Sequence, residues 1–333
     1  MSSPQLSIQI SDNTHVSEAR RASVHMAKMA DFDSHAAGRL AIVVSELARN
    51  VLLHGGGGEI VLQCVGSDTG SAVNVLALDR GPGIQDVGRA LADGYSSAGT
   101  SGTGLGAVNR MASLEVYTQA GKGTAVLATV SAEKPKQNET TTGAVCVPIH
   151  GESRCGDDWD DKQQTDKRLI MLADGLGHGP AAADAAEEAI AAFRANLHRS
   201  PKEIIELAHA RLQKTRGAAV AVAEIDFGRQ IVRYSGVGNI AGTLLVNGSS
   251  RSLISGNGIV GHQLAHAHEF TFPWERTASL IMHSDGVNTR WSLDPYPGLK
   301  SKSPALIAGV LYRDFKRGRD DATVVVSREA KAA

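Results

Sequence analysis

Leu40, Val43, Val44, Leu47 and Val51 recur at the i, i+3, i+4, i+7 and i+11 positions of the segment 35–54. That spacing gathers them on one side of a 3.6-residue repeat and predicts an amphipathic helix. Residues 15–30 also read as a helix, and glycines 55–58 end the second one. Ahead of both, LSIQI alternates apolar and polar positions, as a half-buried strand does. EIVLQCV and AVNVLALD follow as strands bounded by Gly, Ser or Asp. A Gly/Ser-rich stretch, 94–104, precedes a short helix and two further strands, LEVYTQA and GTAVLATV. This order predicts helices on one face of a largely antiparallel sheet.

The periodicity is lost over 131–142, SAEKPKQNETTT, a polar stretch that reads as a linker. Beyond it strands dominate: AVCVPIHG, RLIMLAD, AAVAVAEID, QIVRYSGVG, GTLLV, ASLIMHSD and ATVVVS. Helices over 180–197 and 201–214 fall between the second and third of these, and another lies near 303–315. Two packed sheets with helices outside fit that order. The expected fold class is therefore α+β in two domains, 1–130 and 143–333, joined by the linker 131–142.

Composition narrows the function. The 333 residues are 42% hydrophobic but only 4% aromatic, so the core is built mainly from Ala, Val, Leu and Ile. A net charge of −1 without a basic block argues against a nucleic-acid partner. Cys64, Cys146 and Cys155 are widely spaced and odd in number. They give neither a disulfide framework nor a zinc pair, and they point to a reducing cytoplasm. The opening MSSPQLSIQISDNT lacks the charged-then-apolar order of a signal peptide. No apolar run approaches the ~18–20 residues of a membrane span, so no membrane partner is expected.

DGLGHGPAAADAAEEAI, beginning at Asp174, sets an acidic residue before three glycines and a proline-initiated helix. Such a turn can cradle phosphate, bring a carboxylate and bare backbone to a metal ion, or simply reverse the chain. Other acidic residues share its position at strand ends. Asp285 closes SLIMHSD before Gly286, Asp320 and Asp321 precede ATVVVS, and Asp157 and Asp158 follow Gly156. Carboxylates converging from several strand ends repel unless cations bind, and an all-oxygen set favours Mg2+ or Mn2+ over zinc.

The motifs ADGxGHGxxAA, SGVGN, SDG and DDATVVV, in that order across 143–328, resemble the type 2C superfamily of metal-dependent serine/threonine phosphatases. The likeness is greatest to its bacterial SpoIIE-like branch, including RsbX. It implies an α/β/β/α sandwich and two Mn2+ or Mg2+ ions. It also implies that Asp174 bridges both ions, the Gly175 carbonyl binds one, Asp285 and Asp320 hold the other, and Asp157 contributes directly or through water. Two such ions lower the pKa of a shared water and aim it at phosphorus. Asp158 and Asp321 then support the ligands, and His178 serves as a general acid or as a packing residue of the turn. The phosphate-binding arginine of eukaryotic members has no clear counterpart beyond Arg154.

In the first domain, SELARNVLLHG places Glu46 and Asn50 four apart on one helix face. LDRGPGI sets Asp79 before Gly81 and Gly83, where a carboxylate can accept from an adenine amino group. GTSGTGLGAVNRM puts Gly99, Gly102, Gly104 and Gly106 ahead of or within a helix start, where amides can meet phosphate. Together these resemble the nucleotide-binding boxes of the GHKL (Bergerat) ATPase/kinase family, and above all the RsbT serine kinases, over 5–130. The resemblance implies an α/β sandwich binding ATP, with Mg2+ held by Asn50 and Glu46 as catalytic base. Asp79, Gly81, Gly83, Gly102, Gly104 and Gly106 form the rest of the cofactor site, with 94–106 as a lid. Arg49 contacts phosphate or a partner, or pairs on the surface.

Both families belong to partner-switching pathways. The expected function is a bifunctional regulator of the stressosome type that phosphorylates and dephosphorylates serine or threonine on STAS-domain proteins. The alternative is a nucleotide-gated binding module that sequesters a STAS protein or sigma factor, fused to an active phosphatase.

Overall fold

The computed structural model describes residues 5–67, 70–92, 104–132, 141–264 and 266–330. Its chain divides into two compact units, Ser3–Asn138 with Ser292–Arg313, and Glu139–Trp291 with Asp314–Ala333. This grouping differs from the expected 143–333 domain at 292–313, which joins the first unit. Most of the expected linker, 133–140, lies outside the described residues.

The first unit opens with β1 (Gln5–Ile10). Helix α1 (Asn13–Met29) starts where the Asp12 carboxylate accepts from the Thr14 amide at 2.7 Å. Asp33 caps α2 (Ser34–Leu53) in the same way, accepting from the Ala36 amide at 2.7 Å. Strands β2 (Gly58–Ser67) and β3 (Gly70–Asp79) follow, then short helices α3 (Val87–Leu91) and α4 (Leu105–Met111). β4 (Ser113–Gln119) and β5 (Gly123–Ser131) complete an antiparallel sheet of order β1-β2-β3-β5-β4. The α2 stripe is buried as its spacing predicts, sharing one core with Ile8, Ile60, Leu62, Val75 and Val126 of the sheet. Each such aliphatic side chain contributes about 1.5–3 kcal/mol by leaving water. Packing thus anchors the helix that carries Glu46 and Asn50.

The second unit runs through β6 (Thr142–Val147), β7 (Asp157–Gln163), β8 (Lys167–Gly175), α5 (Pro180–Ala195), α6 (Pro201–Leu212) and β9 (Ala218–Asp226). It continues with β10 (Ile231–Val237), β11 (Ala241–Val246), β12 (Ser249–Leu253), β13 (Glu269–Pro273), β14 (Ser279–His283) and β15 (Ala322–Arg328). These strands form two antiparallel sheets of order β13-β10-β9-β8-β7 and β12-β11-β14-β15-β6. Ile170, Leu172, Ala221 and Tyr234 of one meet Leu244, Leu280, Met282 and Val325 of the other. On the outer side of the first sheet, Leu169, Met171, Val220 and Val222 pack under Ile190 and Phe193 of α5 and Ile204 and Ile205 of α6. β8 and β9 are covered on both faces, which is why they read as continuous apolar runs.

Between β14 and β15 the chain enters the first unit and forms α7 (Pro304–Phe315). Every residue from Pro304 to Arg313 is buried, as befits a helix without a polar stripe. The Ser303 amide donates to Glu115 of β4 at 3.0 Å, and the Tyr312 hydroxyl donates to Glu59 of β2 at 2.7 Å. Gly309 lies against Leu76 of β3, where a Cβ would crowd the leucine side chain. No helix among the described residues is long and apolar enough to cross a membrane.

Candidate functional site

Strand register brings the first pair of carboxylates together. β7 and β8 run antiparallel with Asp157 opposite Asp174, while Asp158 faces Ala173. Opposed residues share a sheet face and successive ones alternate, so Asp157 joins Asp174 and Asp158 points away. The other acidic strand ends act on the same place. Burial pushes the Asp174 carboxyl up to about 9, and the charges of Asp157, Asp285, Asp320 and Asp321 add to the rise. Burial likewise pushes Asp157 up to about 7, opposed by a hydrogen bond from Ser284.

Most of these carboxylates are held by neighbours. The Ser284 hydroxyl donates to Asp157 Oδ2 at 2.7 Å and itself accepts from the Thr323 amide at 3.0 Å. Asn239 donates to Asp285 Oδ2 at 2.7 Å. Asp320 accepts from the Asp321 amide at 2.9 Å. Asp321 is spent on structure, since its two oxygens accept from the amides of Ile149 at 2.8 Å and Gly156 at 2.9 Å. The Gly156 carbonyl then accepts from the Gly175 amide at 3.0 Å, which binds the start of β7 to the end of β8. Ser284 and Asn239 were not singled out in the sequence, although the SDG and SGVGN motifs contain them.

The DGLGHG turn owes its glycines to packing. A Cβ on Gly175 would collide with the backbone of Ala182 in the first turn of α5. Gly177 and Gly179 adopt φ of +82° and +76°, conformations that favour glycine. Pro180 sits at the start of α5, as expected. His178 Nδ1 lies 2.7 Å from Glu152. Arg154 is engaged by Asp184 at 2.9 Å and Glu187 at 2.8 Å.

Among the described residues, no three His, Cys, Asp or Glu side chains already stand in a metal-holding cluster. The chemistry of the set nevertheless fits divalent ions. The leading charges acting on Asp174 are all carboxylates, and the donors are all oxygen.

The second candidate site lies in the first unit. Glu46 and Asn50 stand one turn apart on α2 beside the buried stripe, and Arg49 pairs with Glu46 at 3.1 Å. The loop after α2 reaches Asp79. A Cβ on Gly55 would strike the Asp79 side chain, and one on Gly81 would meet the His54 carbonyl. Asp79 Oδ1 accepts from the amides of Gly81 at 2.9 Å and Thr124 at 3.1 Å, which fixes the carboxylate. Burial raises its pKa, and the two amides, Arg313 and His54 oppose the rise. Gly83 has φ +83° and no room for a side chain against the Gln119 carbonyl. Gly104 precedes α4 and Gly106 is buried within it, whereas Gly99 and Gly102 lie outside the described residues. The structure therefore joins the end of the Asn50 helix to Asp79 and its glycines, and adds Arg313, which the sequence reading did not select.

Comparison with known proteins divides the chain in the same order. Residues 10–130 match the histidine kinase-like ATPase domain family, and residues 164–329 match the stage II sporulation protein E (SpoIIE) family. The serine/threonine-protein kinase RsbT of Bacillus subtilis (strain 168) is 33% identical over 125 residues, which are 37% of this chain and 94% of RsbT. A chain from a structural study of the bacterial stressosome, described as a modular system adapted to control secondary messenger signalling, is 26% identical with a TM-score of 0.53. The match covers 56% of this chain and 98% of that one. The magnesium complex of RsbX shares the fold at 21% identity and a TM-score of 0.50, covering 60% of this chain and 99% of RsbX.

Proposed function

The chain belongs to the RsbT family of serine/threonine kinases through its N-terminal ATPase domain and carries a SpoIIE-type, type 2C phosphatase domain after it; from that premise we propose a cytoplasmic regulator that both adds and removes phosphate on STAS-domain proteins of a partner-switching pathway. A phosphoryl group adds about −1.5 to −2 charges to its carrier and so changes which partner binds. One observation carries the reading. A single chain holds Glu46 and Asn50 on a helix whose end reaches Asp79 and, in its other unit, a set of carboxylates whose charges act on Asp174.

In the phosphatase half, Asp157, Asp174, Asp285, Asp320 and the Gly175 carbonyl would hold two Mn2+ or Mg2+ ions. Such ions supply a water of lowered pKa at phosphorus. Ser284 and Asn239 orient Asp157 and Asp285 for that task. The buried wall formed by β8 limits how much water surrounds these carboxylates. In the kinase half, Asp79 accepts from the adenine amino group and Asn50 would hold the Mg2+ of ATP. Glu46 would take the proton of the substrate hydroxyl as the phosphoryl group passes to that oxygen and ADP leaves.

A nucleotide-gated binding module for a STAS protein or sigma factor is the second reading. The ion pair of Glu46 with Arg49 favours it, because that contact occupies the proposed base. A time course of phosphate on a STAS-domain protein separates the two. With ATP and Mg2+ or Mn2+, Asp174→Ala should accumulate phosphoprotein, Glu46→Ala should form none, and the unaltered chain should show a transient. If Asp174→Ala forms no phosphoprotein while ATP tightens partner binding, the first unit is a binding module.

A further inference from the structure

Arg313 is remote in sequence from every nucleotide-binding motif, yet it ends at one of them. It lies near the C-terminus of α7, is 5% exposed, and donates from Nη1 to the Asp79 carbonyl at 3.0 Å. The contact is reciprocal: the Arg80 guanidinium donates back to the Arg313 carbonyl. The turn that presents Asp79 is thus clasped from both sides by α7. Gly123 of β5 also crowds this turn, since any Cβ there would collide with the same Asp79 carbonyl.

We infer that Arg313 is a positioning residue of the adenine site, fixing the turn that aims the Asp79 carboxylate so that the first unit selects adenine nucleotides. The inference rests on the reading of Asp79 as the adenine acceptor. Three restraints converge on this residue: the Gly81 and Thr124 amides on Oδ1, and Arg313 on the main-chain carbonyl. The groups that face the carboxylate are Arg313 from α7 and His54 from the end of α2. Arg80 follows it in the chain. A half-buried carboxyl drifts toward its neutral form, and a neutral carboxyl accepts more weakly from an amino group. The Gly81 and Thr124 amides oppose this drift first, and the charges of Arg313 and His54 add to them. The helix that carries it falls within 164–329, the segment matching the SpoIIE family, so the adenine site draws on residues outside the segment that matches the ATPase family.

The test uses the full chain. ATP and GTP affinities are measured by titration calorimetry for the unaltered protein, Arg313→Gln, Arg313→Lys and Glu115→Ala, with thermal melting to confirm folding. Glu115→Ala loosens α7 at its far end, away from Asp79. The expected result is that Arg313→Gln weakens ATP about tenfold or more, the range for losing a hydrogen bond to a charged group. GTP affinity should change little, so selectivity narrows. ATP binding by Arg313→Gln should also be lost at a higher pH on acidification, and Arg313→Lys should restore part of the acid limb. Glu115→Ala should leave selectivity and the acid limb in place. Equal losses for ATP and GTP in both Arg313→Gln and Glu115→Ala would reduce Arg313 to a packing role and overturn the inference. So would unchanged ATP binding by a folded Arg313→Gln. Failure of the unaltered chain to bind ATP would instead remove the reading of Asp79 itself.

Discussion

Asp157 and Asp174 stand directly opposite one another on neighbouring antiparallel strands, the first buried and the second partly so. Ionising one opposes ionising the other. In the metal-free protein both carboxyls titrate higher than in an unfolded chain, near 7 and near 9. The folded state therefore binds more protons than the unfolded state above the ordinary carboxylate range. Metal-free stability should be greatest at acid pH, as far as these two groups set it, and should fall as pH rises from the ordinary carboxylate range, the Asp157 contribution levelling off near 7 and the Asp174 contribution near 9. Urea midpoints across that interval will show the slope. Mn2+ or Mg2+ should flatten it, and Asp174→Asn should remove its upper part while lowering phosphatase rate at least about 100-fold.

Gly175→Ala tests the turn rather than the charge. The added methyl has no space against the backbone of Ala182. Overpacking of this kind costs about 1–3 kcal/mol. Divalent-metal affinity, read by calorimetry, should drop together with the melting temperature. An intact affinity would show that the turn accommodates a side chain by moving α5 alone.

Ser200 closes a capping box on α6, with its hydroxyl accepting from the Glu203 amide at 3.4 Å while Glu203 accepts from the Ser200 amide at 2.9 Å. Ser200→Ala should destabilise by about 0.5–2 kcal/mol, the usual cost of losing an N-cap. Hydrolysis of a small phosphate ester should be unchanged under conditions where the protein stays folded. A loss of rate would tie α6 to the carboxylate site.

Tyr312→Phe removes a donor from the buried Glu59 carboxylate, to which the Ser7 hydroxyl still donates. The expected loss is about 1–3 kcal/mol, the cost of under-satisfying a buried polar group. Equilibrium denaturation measures it. No loss would mean that water or Ser7 fully replaces the phenol.

The long helices and the interior strands were legible because burial writes itself as periodicity, whereas α3, which buries no residue, was not read. The α2 stripe and the apolar runs of β8, β9, β14 and β15 all form as read. The strands that escaped, β7, β12 and β13, share one property: each lies at the edge of its sheet. Edge strands bury less and tolerate charge, so DDWDDKQ carries no apolar signature even though it delivers Asp157. The Asp–Gly and Gly-rich motifs were visible because tight turns demand those residue types. What aims the acidic side chains was not. Ser284, Asn239 and Arg313 act through distances that span much of the chain, and only the folded register joins them to Asp157, Asp285 and Asp79.

The late position of α7 in the chain makes the first unit a split protein. Cleavage at a protease site introduced within 131–142 would leave its sheet on one fragment and its final helix on the other. Neither piece would hold the whole of the first unit, yet together they would contain every part of it. Complementation, rather than separation, is the expected behaviour of the two fragments, and they should elute as one species until denaturant withdraws α7.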